Sequence, residues 1–493
     1  MNKRDTNYWL AGILDHTLQK MHASNGIKTC DSEFLAILKK HKLQGRISIP
    51  ELLKMNSFKR FDQKLVIASL MHEKVKINAF ADKHQLAISE IANEFINQKI
   101  AALPIIIKGL SIFSLTNDVS NIRFSVDIDM IYSDPEFLSA ILTELGYIRE
   151  DTVSSHEHCI MYKNDVTIEI HNYIPVIHYS KGAIKKAVKT EKNNKQLYFE
   201  NAAVEETMIR YEDLVTNAQP SSFLHGILVP SINDQVLILC THIFRNYVKS
   251  QFSFASQIKL AELLDVLDLI RHQSFELELF VKENCYETSV LFTACLLEKL
   301  FGERDFLDAL CPSPDRAQLL FPKILQWSGA MYLPRLPEEL VYFGLSEFID
   351  ALETKPIILS QDKLGTQLFD LHKYNSHGIT QLESLVVTLS DNCLVLVVKL
   401  QELIPSQTAD VVELFTEEHR CCFVIEDNSI TTEETYEGYS WELMQGDYTL
   451  KIEIPLCYLD VYGNLKLSFI FSVVRWGTGP LSTCVPMKIS LND

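Results

Sequence analysis

The sequence has no apolar run of about 18 residues, the length a helix needs to cross a bilayer, so no membrane anchor is expected. It also has no CxxC pair. Its eleven cysteines are odd in number and scattered, apart from the adjacent Cys421 and Cys422. That pattern leads us to expect buried, reduced thiols in a cytoplasmic protein. The opening residues, MNKRDTNYWLAGILDHTLQK, lack the long apolar core and small-residue cleavage site of a secretory signal. Positive charge is scarce: 46 Lys and Arg stand against 64 Asp and Glu, for a formal net charge of -18. Non-specific attraction to nucleic acid or anionic lipid is therefore disfavoured, and a long nucleic acid is not an expected partner. There is no GxSxG, P-loop or dinucleotide-binding GxGxxG context. Gly477 and Gly479 in RWGTGP lack a strand-to-helix setting and read as a turn.

What remains is ordinary globular material, 47% hydrophobic and 22% charged, which suits a packed protein and not a disordered one. Residues 1–100 read as a helical lead-in, with Asp31 as a candidate N-cap and a long breaker-poor stretch from Phe61. Residues 101–203 read as a mixed α/β unit. PIIIKG and FSVDIDMIY are strands, and PEFLSAILTELGY is a helix opened by Pro135 and closed by Gly146. HCIMYKN and DVTIEIHNYI are strands joined at an Asn164–Asp165 turn. Helices return over 204–355. A connector over 356–380 leads to a strand-rich region, 381–493, with the alternation of a β-sandwich.

The chemistry gathers in the α/β unit. Asp127 and Asp129 lie two apart on a strand, so they share a face with Cα atoms about 7 Å apart, while Val126, Ile128 and Met130 point into the core. Two converging carboxylates repel, and a divalent cation such as Mg2+ or Mn2+ reverses that cost. In VTIEIHNY, Glu169 shares a face with Thr167 and His171. If the two strands are neighbours, Asp127, Asp129 and Glu169 form a carboxylate triad able to hold two metal ions about 4 Å apart. Upstream, Lys108 and Gly109 follow a strand. Glycine admits a phosphate close to the backbone, and Lys108 and Arg123 offer positive charge to a triphosphate.

The order KG, arginine, D-I-D, a helix ending L-G-Y, then E-I-H resembles the uncharacterised nucleotidyltransferase family of the DNA polymerase β-like superfamily. The match runs from about Ile105 to His171, with weaker echoes in the flanking helices. The resemblance implies an α+β multidomain chain: a polymerase β-like core of mixed sheet and helices, flanked by helical segments, with a C-terminal antiparallel β-sandwich outside the match. It implies transfer of a nucleoside monophosphate from an NTP to an acceptor hydroxyl, with two Mg2+ (or Mn2+) ions and release of pyrophosphate. Asp127, Asp129 and Glu169 would be the catalytic metal ligands. Lys108, Gly109, Ser111 and Arg123 would bind the nucleotide, with Ser111 or Ser114 at the phosphate loop. From the residues themselves, His171 could be a ligand, a hydrogen-bonding partner of Glu169 or a structural histidine, and His242 could reach the nucleotide from the helical region. The acceptor could be a small molecule, a peptide or protein, or an RNA end.

Other features have plainer readings. His156, Glu157, His158 and Cys159 mimic a zinc cluster, but consecutive strand residues cannot all face one ion. Arg245 lies one helix turn from His242. Asp265 and Asp268 read as exposed helix acids. The lysines at 181, 185, 186, 189, 192 and 195 form a solvated basic segment that could also guide an NTP. Trp441 and Trp476 read as core residues that could instead stack on a sugar or partner. The competing function is a non-catalytic adaptor that binds a nucleotide, or binds carbohydrate or protein through the β region.

Overall fold

The computed structural model describes residues 35, 38–39, 41–54, 58, 62–116, 127–152, 156–179, 204–221, 226–250, 258–284 and 288–311, and strands between 357 and 490. The chain divides into two compact units: residues 1–245 with 258–322, and residues 246–257 with 323–493.

In the first unit a long helix, α1 (Gln63–Asn97), precedes the sheet. The Asp62 side chain caps it, accepting from the amides of Lys64 and Leu65 at 3.1 and 3.2 Å. Ile77, His84, Ile88, Ile91 and Phe95 recur along one stripe and are buried. A sheet follows, built from β1 (Ile105–Ile107), β2 (Asp127–Ile131), β3 (Ile148–Asp151), β4 (Glu157–Lys163) and β5 (Val166–His171). Helices α2 (Leu110–Thr116) and α3 (Pro135–Glu144) lie between these strands in sequence.

Local chemistry fixes the connections. Asp134 caps α3 by accepting from Phe137 N at 3.0 Å, and Pro135 occupies the first turn. The helix ends where Gly146 turns left-handed at φ +88°. There Gly146 N reaches Thr143 O and Tyr147 N reaches Leu142 O, both at 2.9 Å, so the last carbonyls are satisfied. Asn164 and Asp165, at φ +47° and +64°, make the tight hairpin turn between β4 and β5.

Strands β6 (Ile174–Tyr179) and β7 (Val204–Ile209) form a separate ribbon, and a short helix α4 (Tyr211–Val215) leads on to β8 (Gln219–Pro220) and β9 (Leu228–Val229). The main sheet runs β3-β4-β5-β2-β1-β9-β8. It is mixed: β2 pairs parallel with β5 and antiparallel with β1. Ile106, Ile128, Met130, Ile168 and Ile170 are buried in one core with Ile91 and Phe95 of α1. Each such side chain contributes about 1.5–3 kcal/mol, so the apolar set decides which face is inward and the acids take the other. Residues 204–229, read from sequence as the start of a helical region, instead supply three strands. Two of these complete the sheet, because β9 pairs with β1.

Helices α5 (Ile232–Ser250), α6 (Leu260–Ile270), α7 (Leu277–Asn284), α8 (Thr288–Phe301) and α9 (Arg304–Leu310) follow. The expectation that Asp265 and Asp268 are exposed is corrected here. Both pair with Arg46, and the Asp265 side chain is 1% accessible. Arg46 also donates to Ala261 O at 3.2 Å, so one guanidinium serves two turns of α6.

The second unit contains two sheets. One has six strands in the order β10-β20-β19-β14-β15-β16, and the other five in the order β11-β12-β13-β18-β17. These are β10 (Ile357–Ser360), β11 (Gly365–Phe369), β12 (Leu382–Leu389), β13 (Cys393–Leu400), β14 (Asp410–Phe415), β15 (Arg420–Glu426), β16 (Ser429–Glu433), β17 (Ser440–Met444), β18 (Thr449–Pro455), β19 (Lys466–Arg475) and β20 (Leu481–Ser490). All pairs are antiparallel except β10 with β20. Leu394, Leu396, Val398, Leu450, Ile452 and Ile454 are buried, as the period-two pattern requires. Phe423 of β15 meets Trp441 of β17 edge to face at 5.8 Å. The stretch read as a connector contributes β10 and β11. The expected lysine-rich segment and Trp476 lie outside the described residues.

Candidate active site

The site is set by a strand register. In the parallel β2–β5 pair, Asp127 lies opposite Thr167, Asp129 opposite Glu169, and Ile131 opposite His171. Asp129 and Glu169 are therefore side by side on one face. From the other side, β1 pairs Ile107 with Asp129, and the next residue is Lys108. Lys108 and Gly109 both turn left-handed, at φ +56° and +39°. That conformation costs a residue with a side chain on the order of 1 kcal/mol. It brings Lys108 Nζ to 2.9 Å from Asp129 Oδ1.

His171 approaches the same oxygen. Its Nε2 lies 2.9 Å from Asp129 Oδ1 and 3.8 Å from Glu169 Oε2. An ammonium and an imidazole are thus what make a buried acid at position 129 tolerable. Burial opposes ionisation of Asp129, but Lys108 and His171 outweigh it and hold the carboxyl well below the usual range. Glu169 moves the other way. Burial, and then repulsion from Asp129 and Asp127, push its carboxyl up to about 8. Burial also opposes the charge on Lys108, yet Asp129, Glu169 and Asp127 keep its ammonium above the ordinary lysine value. Two carboxyl groups on adjacent strands thus divide into one ionised and one proton-holding member.

Among the described residues, one group of three side chains has ligand atoms close enough to share a metal ion: Asp129, Glu169 and His171, all within 4.8 Å. Two carboxylate oxygens and an imidazole nitrogen fit a divalent cation in chemistry and spacing. Asp127 sits on the same strand face, and its charge is felt at Lys108 and Glu169, but it is not one of the three.

A small, partly open cleft adjoins this group, walled by Lys108, His156, His171, Thr241, His242 and Arg245. His242 Nε2 is 3.5 Å from Glu262 Oε1. Burial and the nearby Lys108 hold the His242 imidazole below its ordinary value. Arg245 Nη1 lies 2.9 Å from His156 Nε2. A guanidinium only donates, so His156 accepts at Nε2 and carries its proton on Nδ1. Glu157 Oε1 lies 3.0 Å from the same nitrogen. Burial, with Arg245 alongside, pushes His156 down to about 4. His158 turns away and pairs with Glu136 at 2.8 Å, so the apparent zinc cluster does not assemble.

The remaining expected residues fall in different places. Gly109 lies at the turn after β1. Ser111 is fully buried. Its hydroxyl donates to Lys108 O at 2.7 Å and lies 3.1 Å from the Gln235 Oε1 acceptor. Ser114 is bonded to Ser221 at 2.7 Å. Neither hydroxyl is presented at an open phosphate loop. Arg123 lies outside the described residues. His156 and Glu262 were not singled out as site groups. A carboxylate on the otherwise apolar face of LAELLDVLDLI was the available sign for Glu262.

The sheet carries neighbouring acids on adjacent parallel strands, with a glycine turn and a lysine beside them. The chain matches the family described as Uncharacterised nucleotidyltransferase over residues 30–302, more than half its length, and it belongs to that family. No curated protein and no solved structure matches it. No helix among the described residues is long and apolar enough to cross a membrane.

Proposed function

We propose that the protein transfers a nucleoside monophosphate from an NTP to the hydroxyl of a small-molecule, peptide or protein acceptor. A new bond forms between the acceptor oxygen and the α-phosphorus, the bond from that phosphorus to the β-phosphate oxygen breaks, and pyrophosphate leaves. The single observation that carries this reading is the parallel register of Asp129 against Glu169, with Lys108 on the shared oxygen. A bound divalent cation would supply charge neutralisation at the phosphates. Asp129, Glu169 and His171 would hold it, with Asp127 close enough to add charge. Lys108, released from Asp129, would reach the triphosphate. Gly109 would let the phosphates approach the backbone. Glu169 would complete the ligand set on the side where the acceptor approaches. Arg245 and His242 on the cleft wall would position the acceptor. The C-terminal β region, residues 381–493, would recognise or assemble with a partner.

The test is pyrophosphate release with each of the four NTPs and a cell extract as acceptor source, comparing wild type with Asp129→Ala and Asp127→Ala/Asp129→Ala. Release by wild type alone is expected. Equal release from all three proteins removes the enzymatic reading and leaves the adaptor, acting through the β region.

A further inference from the structure

We infer that the acceptor carries a compact oxyanion, a carboxylate or a phosphate, close to its reacting hydroxyl, and that Arg245 receives it in the cleft beyond His171. This rests on the reading of the protein as a nucleotidyltransferase, and it names the chemical class of the acceptor.

The strand register separates two sides of the acid pair. β1 runs antiparallel to β2 with Ile107 opposite Asp129, so Lys108 and Gly109 continue toward the Asp127 end. β5 runs parallel to β2, so His171 lies two residues beyond Glu169 in the opposite direction, across from Ile131. In-line transfer needs the attacking and leaving oxygens on opposite sides of the phosphorus. With the phosphates at the Gly109 turn, the side left to the acceptor is that of His171. The cleft lies there: His171, Ile174 and Pro175 wall it on one side, and Thr241, His242 and Arg245 of α5 on the other.

The charge on that wall comes from one residue. Among the described residues, no aspartate or glutamate lines the cleft. Lys108 touches it, but its ammonium is tied to Asp129 at 2.9 Å. The Thr241 hydroxyl donates to Ile238 O at 2.8 Å. Burial holds the His242 imidazole below its ordinary value and, with Arg245 alongside, pushes His156 down to about 4, so both rings are uncharged at neutral pH. Arg245 remains as the cation of the α5 side. Its Nη1 donates to His156 Nε2 at 2.9 Å. A neutral imidazole aims the guanidinium without cancelling its charge, as a carboxylate in that place would. Glu157, 3.0 Å from the same nitrogen, is not on the cleft wall. A guanidinium presents five N–H donors in a planar fork, which a carboxylate or phosphate meets with two parallel hydrogen bonds. A small cleft with this one cation suits such a group and not a base with its ribose.

The experiment uses full-length protein. Inorganic phosphate, and separately acetate, is titrated by calorimetry into the protein alone and into protein saturated with Mg2+ and the α,β-methylene analogue of each NTP. Wild type is expected to bind at least one of the two oxyanions at millimolar concentration, with the analogue bound as well as without it. Arg245→Gln should weaken that binding by about tenfold or more. A loss confined to the oxyanion assigns Arg245 to the acceptor. A parallel loss of analogue affinity assigns Arg245 to the triphosphate, and overturns the inference while leaving nucleotidyl transfer standing. Oxyanion binding that Arg245→Gln leaves unchanged, or that wild type lacks, overturns it in the same way. Failure of wild type to bind any analogue overturns the inference together with the transfer reading. If Arg245→Gln does not fold, the wild-type competition decides: displacement of the oxyanion by the analogue sinks the inference.

Discussion

Lys108 Nζ and His171 Nε2 converge on one oxygen, Asp129 Oδ1, each at 2.9 Å. In the cation-free protein the lysine ammonium stands as the counter-charge that a divalent ion would otherwise supply. The Lys108 and Asp129 side chains are only 15% and 7% accessible, so this is a largely buried pair.

Removing the lysine should expose that substitution. Lys108→Met leaves Asp129 without its main counter-charge and should cost about 3–5 kcal/mol of stability in chelator. Millimolar Mn2+ should restore much of the loss, and should stabilise the variant more than it stabilises wild type. Urea denaturation with and without Mn2+ measures both. An equal Mn2+ effect on the two proteins would mean that Lys108 and the cation do not compete for Asp129.

Glu169 should give the metal-free protein a specific pH dependence. Its carboxyl titrates at about 8 in the folded chain against an ordinary 4.5. Between those values the folded state holds a proton that the unfolded state has released, so stability falls as pH rises. His156, pushed down to about 4, acts in the opposite sense, but only below its unfolded value of 6.5. The window from pH 6.5 to 8 therefore isolates Glu169. The thermal midpoint in chelator should fall across that window in wild type and stay level in Glu169→Gln. A level wild-type curve would show that Glu169 holds no proton there.

Two glycines separate backbone strain from crowding. Gly146 and Gly226 both have positive φ, +88° and +77°. A Cβ at Gly146 meets nothing within 4 Å, whereas one at Gly226 falls 2.8 Å from the Ala92 Cβ. Gly146→Ala should cost about 1 kcal/mol, from conformation alone. Gly226→Ala should cost about 1–3 kcal/mol more, because α1 must move. Equal midpoints in guanidinium would mean that the loop relaxes away from the helix freely.

Arg46→Ala should cost about 3–5 kcal/mol, because it removes the guanidinium that pairs with the buried Asp265 carboxylate and with Asp268. The double change Arg46→Ala/Asp265→Ala should recover part of the loss. Chemical denaturation of the three proteins gives the coupling directly, and a purely additive result would place Arg46 outside that network.

The sequence carried the chemistry wherever the signal was local. Pro135 and Gly146 bounded a helix, the Asn164–Asp165 pair marked a hairpin, and period-two alternation put Asp129 and Glu169 on polar faces. It carried less where the partner was remote. Nothing local tells that β2 runs parallel to β5, and that pairing brings His171 close to Asp129 and Glu169. Nor does local pattern show that Ser111 points inward, since a serine after a glycine turn suits a phosphate loop and a helix interior equally. The strands over 204–229 are two to six residues long, too short to register as alternation. Asp265 sat on a helix rich in leucine, and only the distant Arg46 made its burial tolerable.

The Ser111–Gln235 contact has a mechanical meaning. Gln235 lies on α5 two turns before His242 and three before Arg245, so the helix that presents one wall of the cleft is bolted, through a single interior polar contact, to the turn that aims Lys108 at the other. The helix carrying His242 and the turn carrying Lys108 are thereby joined through an interior contact.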